Sequence, residues 1–476
     1  MNRPTHRFNI FRAILLGLVL AAIAFGISWK LFDREEQKTD SLRRIQERGY
    51  LIALTDRNTL NYFVYRGEPM GYQLELLESF ARYLKVPLRI ISADDINRLE
   101  YYLFYNAADL IALNIPLSRQ GKKNIQYSLP LGETRLVLVQ KKPSGNGTDP
   151  PLVKSLKDFP TDTVYVRSNP FLSPMYHHFY KETRGRAVLK EVRDESQEDL
   201  IRQVSKGLIR FAICQENVAM AFKRYYYNTD ISVLAFPLFF YGWGVNHESD
   251  SLRMMLDSWL TTIKRTGEYK QIYLDYFDNQ RLARFMQSGF CSMNTNRLSP
   301  FDESIQKYST ALSWDWRLVA SLIYEESNFR QGQVSKYNAS GLMQLMPETA
   351  ARFGIDSAST PARQIEGGVK YLRYLDTQIP DEITNPLERI NFVLAAYNVG
   401  IGRVLAAREK AGQYGRDKNR WNRHVDYYLL RRSKKNPHGL ADTMNTFTGD
   451  YKTEGFVDDI ITRYYHYRNL ISERLN

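Results

Sequence analysis

The chain has 476 residues, too many for one typical domain, and its 43% hydrophobic and 13% aromatic content is enough for two or three packed cores. A net charge of +13 favours anionic partners, be they nucleic acid, anionic lipid or acidic wall polymer. No cluster resembles a nucleic-acid-binding module, so nucleic acid is not expected as a partner. The two cysteines, Cys214 and Cys291, are too few for a disulfide framework or a metal site. They read as buried thiols in different domains, with one structural disulfide as the alternative.

Residues 1–12 are basic (Arg3, Arg7, Arg12), and an uncharged, mostly apolar run from Ala13 to Trp29 follows, closed by Lys30. That length is at the lower limit for a membrane-spanning helix and long for a signal-peptide core. The reading adopted is an uncleaved anchor, with residues 1–12 in the cytoplasm and everything after Lys30 across the membrane. Cleavage near Ala22-Ile23-Ala24 and release to the periplasm is the alternative. No Cys follows the run, which excludes a bacterial lipoprotein anchor.

Strand patterns follow at Leu51–Thr55, Leu88–Ser92 and residues 109–113, with a helix over 71–86 ended by Pro87. This alternation implies a parallel α/β sheet. Further strands are predicted at 134–140, 163–167 and 239–245, and a long helix at 251–264. Residues 278–300 show polar runs, Gly289 and no clear period, and read as a linker. From residue 301 the pattern is helical, over 301–309, 313–328, 347–353, 361–378 and 386–398, the last two opening near Pro at N1-type positions.

Within the helix at 313–328, with Ser313 as its expected N-cap, Val319, Leu322, Ile323 and Glu326 recur at i, i+3, i+4, i+7. A carboxylate on an apolar stripe raises its pKa and keeps its proton, because an unpaired charge is expensive to bury. A protonated carboxyl at neutral pH is what a general acid for glycoside cleavage needs. Glu325 competes, with Leu318 and Leu322 on its own stripe. Glu326 is preferred because Leu322, Ile323 and Phe329 flank it, whereas Glu325 also meets Ser321 and Asn328.

Three short motifs occur in order: Glu326-Ser327-Asn328-Phe329, Gly341-Leu342-Met343-Gln344 and Ala396-Tyr397-Asn398-Val399-Gly400. Together they resemble the lytic transglycosylases with a goose-type lysozyme-like domain, over about residues 301–470. The resemblance implies a mainly α lysozyme-like domain that cleaves the β-1,4 bond between N-acetylmuramic acid and N-acetylglucosamine in peptidoglycan. Its product is a 1,6-anhydromuramyl end. It implies Glu326 as the catalytic acid, and Ser327 as a hydrogen-bond partner of substrate or acid. Gly341 is expected to let backbone approach the sugar, Met343 and Gln344 to line the glycan groove, and Tyr397 and Asn398 to close the opposite wall.

Gly71-Tyr72-x-x-Glu75-Leu76, Ile125-Gln126-Tyr127-Ser128-x-Pro130 and Trp259-Leu260 through Phe277 are similar to the family 3 periplasmic solute-binding domains, over about residues 45–277. That family implies a two-lobed α/β module, entered through lobe one, crossing near Lys141 and returning near Leu234, with a ligand in the cleft. In the family, an Arg pairs with the ligand carboxylate and an Asp in lobe two with its amino group. The aligned positions here are Gly121, with Arg119 two residues earlier, and Gln215. The cleft is therefore expected to take another ligand, such as a muropeptide or a sugar, or to serve as a protein-contact or regulatory scaffold, with an intact amino-acid sensor or transport-linked receptor as the less favoured alternative.

The tail (Trp421, Asn422, Val425, Leu429, Leu430, then Glu454 to Tyr465) resembles the membrane-bound branch that joins these two modules, with Phe456 where relatives often have Tyr. Arg431, Arg432, Lys434 and Lys435 form a basic patch, read as a solvated loop or a contact for anionic wall polymer.

The resulting architecture is multidomain. A basic segment spans 1–12, an anchor or signal segment 13–30, and a solute-binding-like α/β module 45–278, with lobe two at about 143–233. A linker covers 279–300 and a lysozyme-like domain 301–476. Gly400-Ile401-Gly402 lacks the third glycine of a dinucleotide fingerprint, and no zincin, nucleophile-elbow or Walker pattern occurs. No cofactor or metal is inferred. The expected partners are peptidoglycan strands, the membrane, and an unknown small ligand or protein at the first module. The rival readings are a hydrolysing muramidase and a catalytically silent wall-binding or sensor protein.

Overall fold

The computed structural model describes residues 41–473 apart from 93–95, 118–123, 145–149, 279–280, 357 and 431–451. The anchor segment, Arg119, Gly121 and the basic patch at Arg431–Lys435 lie outside the described residues. The chain divides into two compact units: one of Asp56 and the residues before it with Tyr72–Asn279, the other of Arg57–Gly71 with Gln280–Asn476.

The first unit opens with α1 (Ser41–Arg48) and β1 (Leu51–Thr55). The excursion to the second unit carries β2 (Phe63–Tyr65) and β3 (Glu68–Met70), and the first unit resumes with α2 (Tyr72–Leu84), β4 (Leu88–Ser92), α3 (Leu99–Phe104), β5 (Leu110–Pro116) and β6 (Ile125–Tyr127). Next come β7 (Gly132–Lys141), β8 (Asp162–Arg167), α4 (Ser173–Glu182), β9 (Ala187–Val192), α5 (Gln197–Lys206), β10 (Phe211–Gln215), α6 (Glu216–Lys223) and β11 (Thr229–Asn246). Helices α7 (Asp250–Thr266) and α8 (Glu268–Phe277) complete it.

Strand β1 is almost wholly buried and pairs in parallel with β4 and β5, as expected for a strand covered on both faces. Lobe two repeats the scheme, with β8 parallel to β9 and β10. The long antiparallel strand β11 joins the halves: its first part pairs with β7, its last part with β5 and β6. The path β4-β1-β5-β11-β7-β10-β8-β9 is thus continuous. Local chemistry agrees with topology at α5, where Ser196 and Asp199 form a capping box and Gly207, at φ 75°, ends the helix. The strand expected at 239–245 is the end of an 18-residue strand. Cys214 is buried in this unit and Cys291 in the other, and neither forms a disulfide.

The second unit adds α9 (Arg281–Gln287), α10 (Asp302–Ser309), α11 (Trp316–Ser327), α12 (Pro347–Arg352), α13 (Pro361–Gln378), α14 (Pro386–Val399), α15 (Ile401–Gln413), α16 (Asp426–Leu430) and α17 (Lys452–Leu470). Helix α11 is its centre: Trp316 through Tyr324 are all buried, and the Ser321 hydroxyl donates to the Ile460 carbonyl of α17 at 2.7 Å. Asn385 and Thr360 cap α14 and α13, each just before the expected N1 proline.

Two stretches depart from the sequence expectation. Residues 281–287 are helical rather than irregular linker, and Phe285 packs on Phe63 and Tyr65 of the β2–β3 hairpin. That hairpin, placed by sequence in the first module, is held in the second unit: Tyr467 donates to the Gly67 carbonyl at 2.6 Å, and Tyr62 bonds His466 Nδ1 at 2.8 Å. Ser313 is also not the cap of α11. It adopts φ 54° before the helix, and Asp315 caps instead, accepting from Arg317 N–H.

Candidate active site

Glu326 lies in the last turn of α11, on the face that carries Leu322 and Ile323, both fully buried. Its carboxyl is pushed up to about 8, first by burial and second by the charge of Glu325. It therefore holds a proton at neutral pH. Tyr397 on α14 faces it: burial, and after it the negative charge of Glu326, raises the phenol well above its ordinary value. The Tyr397 hydroxyl donates to the Met343 carbonyl at 2.5 Å, and Tyr371 of α13 packs on its ring at 5.3 Å between centroids.

The Gly341–Gln344 segment is folded against this pair by its own hydrogen bonds. The Gln333 carbonyl accepts from Gly341 N–H at 3.0 Å and from the Gln344 side-chain amide at 2.9 Å. Gly341 sits at φ 78°, and a Cβ there would collide with the Gln364 side chain, whose Oε1 accepts from Leu342 N–H at 2.9 Å. The Ser327 hydroxyl lies 2.8 Å from the Leu342 carbonyl and 3.0 Å from that of Ile323, so it ties α11 to this loop.

The structure thus gathers Glu326, Ser327, Gly341, Met343, Gln344 and Tyr397 but assigns several of them differently from the sequence expectation. Ser327 is fully buried, with its hydroxyl directed at main-chain carbonyls rather than outward. Met343 is 2% exposed and its side chain fills the space that Gly368 leaves, so its carbonyl faces Tyr397 while its thioether packs inside. The Gln344 amide is engaged with the Gln333 and Gly341 carbonyls. Asn398 is exposed, one position beyond Tyr397.

Sequence reasoning missed Gln364, Gly368 and Tyr371. The Gly367-Gly368 pair hinted at a close approach, but its partner lies across the fold. It also missed Arg463. Its guanidinium pairs with Glu325 at 2.9 Å and lies 4.6 Å over the Tyr324 ring, with Asp459 of the same helix nearby. Glu325 therefore points to α17, away from Tyr397. A separate polar cavity of about 510 Å³, lined by Glu382, Asn385, Glu388, Asp417 and Arg420 among others, contains none of the expected site residues.

In the first unit, Gln215 ends β10 with 4% exposure, and its N–H donates to Gln197 Oε1 at 2.6 Å. At the carboxyl ends of β1 and β8, where ligands of open α/β sheets bind, Asp56 Oδ2 meets Arg167 Nη1 at 2.6 Å. Nearby, Gln73 bridges the Trp243 indole N–H and the Asn114 side chain.

Residues 52–279 match the bacterial extracellular solute-binding proteins, family 3, and residues 303–420 match the transglycosylase SLT domain. Over 476 residues, 98% of each chain, the sequence is 28% identical to the membrane-bound lytic murein transglycosylase F of Desulfosudis oleivorans. The protein of that name in Pseudomonas fluorescens strain Pf0-1 is 27% identical over 81% of this chain and 78% of its own. That in Photobacterium profundum is 26% identical over 89% and 80%. A match to a solute-binding domain is thus followed along the chain by a match to a transglycosylase domain, and the whole is similar over 98% of its length to a membrane-bound lytic murein transglycosylase F, which supports a peptidoglycan lytic transglycosylase.

Proposed function

We propose that the chain cleaves the β-1,4 bond between N-acetylmuramic acid and N-acetylglucosamine of peptidoglycan by intramolecular transfer, with Glu326 as its acid and base. The observation that carries this reading is a carboxyl that keeps its proton up to about pH 8 beside the Tyr397–Met343 pair. Protonated Glu326 donates to the glycosidic oxygen as the bond from C1 breaks, and positive charge develops on the muramyl ring. The C6 hydroxyl of that ring attacks C1 and gives its proton to the Glu326 carboxylate. The product is a 1,6-anhydromuramyl end, no water enters, and the acid is regenerated.

A hydrolysing glycosidase uses a second carboxylate as nucleophile or base. Glu325, the nearest in sequence, is paired with Arg463 on the far side of the helix, which favours the one-carboxylate route. In this reading Gly341, Met343 and Gln344 shape the loop at the glycan groove, Ser327 fixes that loop to the acid's helix, and Asn398 meets substrate from the exposed edge. We further propose that residues 13–30 anchor the enzyme in the inner membrane, facing the periplasm, and that the first module regulates it. The similarity to proteins named membrane-bound supports the first of these.

The test is digestion of purified peptidoglycan with wild-type chain and Glu326→Gln, weighing the products by mass spectrometry. Muropeptides lighter by one water than hydrolytic products, absent with the variant, are expected. Reducing-end products make the enzyme a muramidase. No products from folded wild type support the silent-binder reading.

A further inference from the structure

A two-lobed solute-binding module ordinarily uses its ligand to bridge the lobes, so an unliganded cleft leaves the recognition groups facing solvent. Here the two strand ends that frame the cleft meet each other. Asp56 follows the last residue of β1 in lobe one, and Arg167 is the last residue of β8 in lobe two. Their side chains pair at 2.6 Å with only 4% and 15% exposure. A pair this far removed from water is unlike a surface salt bridge: losing one partner leaves an uncompensated charge in a desolvated site. The Arg167 Nε is buried beside it without a hydrogen-bond partner, so the guanidinium is committed to this position through one carboxylate.

A second observation is independent of charge. Phe171 and Leu172 are consecutive residues of the segment that leaves β8, yet they enter different cores. Leu172 packs in the lobe-two cluster with Val164, Phe179 and Phe211. Phe171 packs in the lobe-one cluster with Leu54, Leu99, Leu103 and Ile115. The turn that permits this is fixed by Asn169, whose Oδ1 accepts from Phe171 N–H at 2.9 Å. The loop after β8 therefore inserts an aromatic ring across the cleft within a few residues of the ion pair.

We infer that the cleft of the first module is latched by the chain itself, with the Asp56–Arg167 pair and the Phe171 ring holding the lobes together where a ligand would otherwise bridge them. The latch also accounts for Gln215 standing at the aligned lobe-two ligand position. A cleft whose lobes are joined by an internal pair of opposite charges needs no further charge there. This inference does not depend on the assignment of Glu326.

The test is hydrogen exchange of the full chain, followed by mass spectrometry over Ser168–Leu172 and Leu99–Phe104. The variants are Asp56→Asn, Arg167→Gln, Phe171→Ala and the charge-swapped double variant Asp56→Arg with Arg167→Asp. Each single variant is expected to speed exchange in both segments by roughly tenfold or more, and the double variant to bring it back toward wild type. Because the swap restores the pair, it separates loss of the latch from general damage to the fold. Unchanged exchange in the single variants, or a folded double variant as open as the singles, overturns the inference. So does calorimetric binding of free L-glutamine or L-arginine by the wild-type chain.

Discussion

The raised pKa of Glu326 makes a statement about stability as well as about catalysis. Its carboxyl goes from 4.5 in an ordinary setting to about 8 in the folded chain. Between those values the folded protein holds a proton that the unfolded chain has released, so stability falls as pH rises through that window and levels off above it. Replacing Glu326 by Gln removes the titration and keeps the volume. For the full rise, linkage gives a difference between variant and wild type of about 1 kcal/mol at pH 5 and about 3 kcal/mol at pH 7. Glu326 is partly exposed, and solvent screening leaves about 1–2 kcal/mol of pH-dependent gain between the two. Scanning calorimetry of the full chain reads this in the transition of the catalytic unit. The Glu326→Gln variant is expected to melt close to wild type at pH 5 and a few degrees above it at pH 7, at about 2–4 °C per kcal/mol. A displacement that is the same at both pH values, or a variant less stable at pH 7, refutes the buried, protonated acid. The same protonation predicts activity that declines above about pH 8.

Glu325→Gln removes the second cause of that rise, so the alkaline limb of the pH–rate profile moves to lower pH; a limb that stays in place assigns the shift to burial alone. Gly341→Ala forces a Cβ into Gln364 at a positive φ, with an expected loss of about 1–3 kcal/mol in urea unfolding and a fall in activity. Unchanged stability refutes the tight fit. Tyr397→Phe deletes the donor to the Met343 carbonyl; we expect a loss of about 0.5–1.5 kcal/mol and a fall in kcat larger than the change in KM. Full activity in that variant removes the phenol from the site.

What the sequence made legible follows from the range of the interactions involved. The expected role of Glu326 as the acid rested on the order of the three motifs and not on periodicity, whereas its burial among apolar neighbours was readable because a helix repeats every 3.6 residues. The proline-opened helices were readable for the same reason, since Asn385-Pro386 and Thr360-Pro361 act within one turn. The side-chain roles of Met343 and Gln344 were not. Gly341 and Gln344 both take positive φ, and those turns decide which groups face inward, which depends on Gln364 and Gly368 from another helix. Likewise nothing local in Arg57–Gly71 says that it leaves its own module, because the contacts that hold it are with Phe285, His466 and Tyr467. The Asp56–Arg167 pair is formed between strand ends 111 positions apart, and only the sheet order brings them together.

In the proposed reaction the two adjacent glutamates of one short motif take different parts. Consecutive residues on a helix point about 100° apart, so Glu325 and Glu326 cannot both face the same groove. Burial and the charge of Glu325 keep Glu326 neutral, while Arg463, stacked over the Tyr324 ring, pairs with Glu325 against α17. A retaining glycosidase needs its second carboxylate about 5 Å from the first and on the substrate side, and an inverting one needs room for water between them. Glu325 meets neither condition while Arg463 holds it. Its charge still reaches Glu326 and disfavours a second ion there, so in the proposed mechanism the carboxylate that takes no part in the chemistry helps keep the acid protonated.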